Sequence, residues 1–208
     1  MNLLLGLIFS YLFGSIPTAY IFGKLYKGID IRQHGSGNIG ATNVFRVLGK
    51  GPGIVVLAAD IIKGIIPVAL FTDLLELTDI TQQIMLALAA VAGHNWTIFL
   101  KFKGGKGIAT SLGVLIGLTI KIESIRIVLL VTILVWGVCF LLSGIVSLSS
   151  ILAAAFLPII MVITDQPFEL VCMGAIFCVF VVIRHKPNIK RLLAGQEPIV
   201  PLPFRKNK

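Results

Sequence analysis

Three short segments hold side chains that packing does not require. The first runs Gly35-Ser36-Gly37-Asn38-Ile39-Gly40-Ala41-Thr42-Asn43-Val44-Phe45-Arg46. Glycines let backbone N–H groups approach an anion, and a helix that follows them turns its positive end to the same spot. Thr42 and Asn43 are each spaced to share a helix face with Arg46, adding hydroxyl, amide and guanidinium groups; a guanidinium can take phosphate oxygens in pairs. The second segment runs from Gly93 and His94 through Lys101, Phe102 and Lys103 to Gly104-Gly105-Lys106-Gly107. Here Lys106 stands among glycines at the mouth of an apolar run, so an ammonium and amide dipoles converge. Lys101 and Lys103 are accounted for as anchors at a membrane boundary, and His94 reads equally as a buried hydrogen-bonding residue or a site residue. The third segment is Arg184-His185-Lys186-Pro187-Asn188-Ile189-Lys190-Arg191, in which the imidazole and the amide are what a basic helix end does not explain. The first two segments are suited to holding an anion such as phosphate, while His185 and Asn188 read either as caps of the helix end or as groups facing the other two loops.

Membrane helices must position these segments. The 208 residues are 57% hydrophobic and 13% charged, with mean hydropathy +1.00, more apolar surface than a soluble domain of this size can hide. Apolar runs long enough for hydrocarbon, or nearly so, occupy about residues 3–23, 52–72, 80–100, 108–120, 125–143, 145–164 and 168–183, the fourth being short. The first run has no basic residue ahead of it and is followed by Lys24 and Lys27, so it reads as a retained helix. Fifteen of the eighteen Lys and Arg residues fall in the connections after the first and third runs and in the tail. The positive-inside rule then sets the N-terminus outside and the C-terminus in the cytosol. The fold class expected is an all-α polytopic bundle of seven transmembrane helices, 1–208 forming one membrane-embedded domain. Its cytosolic parts are loops at about 24–51 and 101–107 and a tail at about 184–208. All three chemistry-bearing segments lie on that side.

Several chemistries are excluded. The first segment matches GxGxxG, but no βαβ unit surrounds it, so a dinucleotide site does not follow. The second lacks GxxxxGK[ST], so nucleotide hydrolysis is unsupported. The net charge of +9 is gathered between spans and not spread over a soluble face, which argues against nucleic acid. Cys139, Cys172 and Cys178 sit inside apolar runs and read as reduced packing residues. Asp60 and Lys63, one turn apart within hydrocarbon, read either as a structural ion pair or as site residues. Pro17 and Pro67 are expected to kink their helices. Four serines between Ser143 and Ser150 read mostly as helix-packing groups.

Taken together, GSGNIGATN-x-x-R, GH-x4-F-x2-FKGGKG and RH-x2-NI-x-RLL-x-G-x-E resemble the three cytosolic motifs of the bacterial acyl-phosphate:glycerol-3-phosphate acyltransferases, and GSIPTAY and D-x-x-KG resemble that family's first two spans. The resemblance covers about residues 14–197. It implies an acyltransferase of the bacterial plasma membrane, working in phospholipid synthesis, that passes a fatty acyl group from acyl-phosphate to glycerol 3-phosphate. Ser36, Arg46, Lys106, His185 and Asn188 would be the catalytic set. Gly35, Gly37, Asn38, Gly40, Thr42, Asn43, Gly104, Gly105 and Gly107 would line the substrates, with Asn38, Thr42 and Asn43 as a supporting shell. The partners implied are acyl-phosphate, glycerol 3-phosphate, membrane lipid and a soluble acyl-phosphate-forming enzyme. No cofactor and no metal are implied. The His-x4-Asp dyad of other glycerolipid acyltransferases is missing, since Ile39, Phe99 and Lys190 stand five places after His34, His94 and His185. Carboxylates on the cytosolic side are too few for a magnesium cluster. Thr97 departs from the proline expected of the family pattern, and Pro187 carries no reading. The competing reading is a transporter of a phosphorylated metabolite with Asp60 and Lys63 on its path; against it stand the lack of an inverted repeat and the gathering of glycine loops on one face.

Overall fold

The computed structural model of the chain describes residues 1–201; Arg205, Lys206 and Lys208, counted above in the basic tail, lie outside the described residues. Every regular element among the described residues is helical. They fall into two compact units, which meet in sequence between Ile122 and Glu123. The first holds α1 (Asn2–Ser15), α2 (Thr18–Lys27), a 3₁₀ turn (Ile31–Gln33), α3 (Ala41–Leu48) and α4 (Lys50–Ile66). A π-helical stretch (Pro67–Phe71) then leads to α5 (Thr72–Leu74), followed by α6 (Ile80–Asn95), a second 3₁₀ turn (Ile98–Leu100) and α7 (Ile108–Lys121). The second unit holds α8 (Ile125–Ser143), α9 (Val146–Ile163), α10 (Phe168–Arg184) and α11 (Lys186–Leu193).

Five helical stretches are long and apolar enough to cross a membrane: 2–27, 50–74, 80–100, 125–143 and 146–163. A sixth, α10 with α11, qualifies as a pair bent by 65°. The run at 108–120 forms α7, whose 14 residues rise only about 21 Å, less than the roughly 30 Å of hydrocarbon. The chain is an all-helical integral membrane protein.

The two prolines act differently. Pro17 ends α1: Ile16, pushed out of the helical region by the following ring, takes ψ 116°, and the helix restarts at Thr18. The break exposes carbonyls that lipid cannot satisfy. Side chains from two other helical stretches supply the bonds, Thr97 Oγ1 donating to Ser15 O at 2.5 Å and Lys63 Nζ to Ile16 O at 2.5 Å. Pro67 breaks nothing. Its missing N–H is absorbed by the wider π turn, and Thr72 Oγ1 donates to Val68 O at 2.5 Å.

Small residues bring the helices of the first unit together. A methyl group on Gly14 would sit 2.1 Å from Ala90 O, and one on Gly93 2.2 Å from Tyr11 O, so α1 and α6 touch backbone to backbone. α4 and α7 meet likewise at Gly64 and Gly113, where a methyl would lie 2.0 Å from Thr110 O and 1.9 Å from Ile61 O. Association in lipid rests on such packing because apolar burial gains little there. Over this, α3 buries Val44 and Leu48 in a cluster with Ala19, Ile31, Ile39, Val56 and Leu100. In the second unit Trp136 stacks on Phe140 and donates to Ser150 Oγ at 3.2 Å, while Ser149 and Ser150 bond carbonyls one turn back.

Gly113→Ala is expected to force α4 from α7 and cost about 1–3 kcal/mol, as overpacking does. Gly51→Ala, whose methyl would meet nothing within 4 Å, should be neutral. Unfolding of the two variants in detergent micelles compares them directly.

Candidate active site

The first glycine segment is a folded loop with a buried staple. Asn43, only 1% exposed, turns inward from α3: its Oδ1 accepts from Ser36 N at 2.8 Å and its Nδ2 donates to His34 O at 3.0 Å and Ile31 O at 3.2 Å. Gly35 has φ +60°, and a methyl there would meet Asn43 Oδ1 at 2.3 Å, so both the turn and the close approach require glycine. Thr42 and Arg46, one turn apart on α3, are exposed, as is Ser36. Other charges nearby are engaged elsewhere. Arg32 grips Asp30 (Nε–Oδ1 2.9 Å, Nη2–Oδ2 2.6 Å) and lies over the Tyr20 ring at 5.1 Å, and that guanidinium holds the Asp30 carboxyl down at about 2. Lys27 donates to Val47 O.

The second glycine segment folds back on the end of α6. The Gly104 and Gly105 amides point inward, donating to Asn95 O at 3.1 Å and His94 O at 2.9 Å. A methyl on Gly104 would sit 2.1 Å from His94 O, and one on Gly105 2.1 Å from His94 Nε2. Lys101 and Phe102 both take left-handed conformations, φ 53° and 59°, which cost a side chain about 1–3 kcal/mol each. Lys106 then precedes Gly107, the left-handed N-cap of α7. Thr97 caps the 3₁₀ turn, accepting from Phe99 N at 3.3 Å, while Phe102 N donates to its carbonyl at 2.8 Å; a threonine thus shapes this corner where proline was expected.

Shared packing brings the two loops together. Leu100 lies in one cluster with Ile31 and Ile39, and a cavity of about 10 Å³ is lined by Ile39, Lys63, His94, Thr97 and the 14–18 break. Ile16 also lines an apolar groove of about 580 Å³ bounded by Phe9, Phe13, Phe71, Leu75 and Phe99. The walls of the groove carry almost no polar surface.

His185 and Asn188 belong to the second unit. His185, 2% exposed, is the corner between α10 and α11; its Nδ1 lies 2.8 Å from Val181 O. A carbonyl can only accept, so Nδ1 carries the proton and Nε2 is the basic nitrogen. Asn188 Nδ2 donates to Glu197 Oε1 at 2.5 Å, the same oxygen accepts from Ser147 Oγ at 2.7 Å, and Arg191 Nε donates to Oε2 at 2.7 Å. Burial pushes the Glu197 carboxyl up, but these three donors and the Arg191 charge pull it further down, so it stays ionised below its ordinary range. Pro187 falls in the first turn of α11, where a missing N–H costs nothing.

Residues 4–195 match the family model described as glycerol-3-phosphate acyltransferase. The chain belongs to the glycerol-3-phosphate acyltransferase family. It is 43% identical to the glycerol-3-phosphate acyltransferase of Trichormus variabilis, over 92% of this chain and 88% of that one, and 46% identical to that of Desulforamulus reducens, over 92% of each. In structure it is similar to crystal structures of PlsY, an integral membrane glycerol 3-phosphate acyltransferase. The glycerol 3-phosphate form gives TM-score 0.87 and 38% identity over 97% of this chain and 96% of that one, and the lysophosphatidic acid form TM-score 0.84 and 38% identity over 96% and 95%.

Reading the family motifs as ligands alone missed two features. Glu197 is a hub, holding Asn188, Arg191 and Ser147; the motif's final glutamate was its one sequence signal. His94 contacts both the Gly105 backbone and, through Nδ1 at 3.7 Å, Asp60. Nothing in the spacing joins residues 60 and 94.

Asn43→Ala would strand two carbonyls and the Ser36 amide, each worth roughly 1–3 kcal/mol, so the Ser36 amide should exchange about ten- to a hundredfold faster while Thr42→Ala leaves it unchanged. Glu197 has a lowered folded pKa, so its contribution to stability is complete above the unfolded value of about 4.5 and fades as pH falls through the folded one. Acid titration should therefore loosen residues 186–200 in the parent. Glu197→Gln should flatten that dependence, as seen by hydrogen exchange at pH 3 and 6.

Proposed function

We propose that this protein transfers a fatty acyl group from acyl-phosphate to glycerol 3-phosphate, giving lysophosphatidic acid and phosphate, at the cytosolic face of the bacterial plasma membrane. The observation that carries the reading is the meeting, on one packed cluster, of two glycine loops that bear Ser36, Arg46 and Lys106, beside an apolar groove. Phosphate chemistry and an acyl chain thus have neighbouring places in one unit. The orientation rests on charge: fifteen of eighteen basic residues fall in the loops and tail on the side of these glycine segments.

In this mechanism Arg46, Ser36 and the amides at the start of α7 hold phosphate oxygens, and Lys106 faces the departing phosphate. The glycerol 3-phosphate hydroxyl oxygen forms a bond to the acyl carbonyl carbon, and the bond from that carbon to the phosphate oxygen breaks. The hydroxyl proton passes to the leaving phosphate, which departs as hydrogen phosphate. Catalysis comes from alignment and from donors aimed at charge that develops in the transition state. Gly35, Gly37, Asn38, Gly40, Gly104, Gly105 and Gly107 shape the binding loops. Thr42 stands beside Arg46, and Asn43 and Asn188 are held from below. The acyl chain lies in the groove that starts at Ile16.

Purified protein incubated with an acyl-phosphate and glycerol 3-phosphate, without coenzyme A or added metal, should release lysophosphatidic acid and phosphate in equal amounts. Lys106→Ala, purified to equal yield, should lose about a hundredfold or more in kcat, as for a removed charge-stabilising donor. Turnover within about threefold of the parent would remove Lys106 from the mechanism.

A further inference from the structure

The most deeply buried ionic cluster of the first unit lies outside the phosphate-binding set. Asp60 and Lys63 are 1% and 3% exposed and 2.8 Å apart. Lys63 Nζ donates to Ile16 O at 2.5 Å, Thr18 Oγ1 at 3.0 Å and Asp60 Oδ1 at 2.8 Å, which matches the three donors an ammonium has. Asp60 Oδ1 also accepts from Thr18 Oγ1 at 2.6 Å and stands 3.7 Å from Nδ1 of His94, itself 7% exposed. The other side of the His94 ring abuts Gly105: a methyl there would lie 2.1 Å from Nε2 and 3.0 Å from Cδ2 and Cε1. Gly105 N donates to His94 O. The residue before Lys106 is thus held at its amide by the backbone of His94 and at its Cα by the ring of the same residue. That ring is in turn flanked by a carboxylate fixed in place by a lysine and a threonine.

A plain ion pair would leave this arrangement unexplained. Charge neutralisation inside lipid needs only Asp60 and Lys63, and often a pair of apolar residues serves as well. It does not need an imidazole with one nitrogen toward the pair and the other toward a glycine of the catalytic loop. We infer that Lys63, Asp60 and His94 form a strut that sets the height and direction of the Gly104–Gly107 loop, and so are positioning residues for Lys106. The strut starts at the helix break of 15–18 and passes through the middle of the unit to the glycine loop. The inference rests on the role proposed for Lys106.

The test separates charge balance from positioning. Asp60→Leu with Lys63→Met removes both charges at similar volume, and His94→Phe keeps a ring under Gly105 but drops the nitrogen that faces Asp60. Each is assayed in detergent with acyl-phosphate and glycerol 3-phosphate beside the parent, with the melting temperature and hydrogen exchange of residues 101–107. A parent that forms no lysophosphatidic acid overturns the proposed reaction, and loop exchange then decides the strut by itself. The strut predicts that folded variants, the double one melting lower for the lost Lys63 bond to Ile16 O, lose roughly ten- to a hundredfold in kcat, with KM for glycerol 3-phosphate within about threefold and faster exchange across 101–107. Parental kcat and loop protection in either folded variant would overturn it, as would a change confined to KM. Should the double variant fail to fold, His94→Phe decides, since it leaves the ion pair intact.

Discussion

The first unit is organised around the cost of a broken helix in lipid. Pro17 leaves the carbonyls of Ser15 and Ile16 without their helical donors, and hydrocarbon offers none. Thr18 N reaches Ile16 O at 3.0 Å, and Lys63 and Thr97 supply the further donors, so α4 and the turn after α6 are tied to the same break. A lysine buried there needs an anion, and Asp60, one turn away on the same helix, provides it. Breaking such a pair by removing one partner costs about 3–5 kcal/mol, far more than the few tenths of a typical surface pair. The glycines at 14, 64, 93 and 113 follow from the same arrangement, because short polar bonds between helices require backbones to approach closely.

The loops inherit their rigidity from this interior. Long glycine-rich connections would ordinarily be mobile, since glycine loses more freedom on ordering than other residues. Here Asn43 closes the first loop with three hydrogen bonds, and the second loop returns two amides to the end of α6. Both then rest on a cluster that includes Ile31, Ile39 and Leu100. Ser36, Thr42 and Arg46 are left exposed on the first loop and the helix that follows it. In the second unit Glu197 does comparable work, holding Asn188 by a short bond while Arg191 balances its charge.

Much of this was legible in the sequence, and the reasons differ by residue. Helix positions follow from apolar run length, so each expected span is helical, the first broken at Ile16 and Pro17, and α7 is short because its run is short. The glycine loops were legible because three glycines interleaved with Ser and Asn have little use in packing. Asn43 was read as sharing a face with Arg46. The helical spacing was right, but burial of Val44 and Leu48 rotates α3 so that residue 43 faces inward. Pro67 was expected to kink its helix; it stands at the start of a π turn within a continuous helical stretch, a local backbone adjustment that propensity does not foretell. Contacts such as Lys63 to Ile16 and Asp60 to His94 join residues more than thirty positions apart and leave no periodic trace.

This division of labour explains how so few ionisable groups serve both stability and chemistry. A charge placed in hydrocarbon is retained only if its partners are fixed, and fixed partners are what a phosphate site needs from its surroundings. His94 is the point where the two requirements meet. Its Nδ1 side faces the structural ion pair and its Nε2 side faces the glycine that precedes Lys106. A glycine at 105 is required because any Cβ would collide with that ring, and the ring stays there because Asp60 does. The glycine of the motif therefore serves the interior as much as the ligand. On the proposed reading, part of the Gly104–Gly107 loop's shape is set from beneath it, by a proline-broken helix and the lysine that mends it.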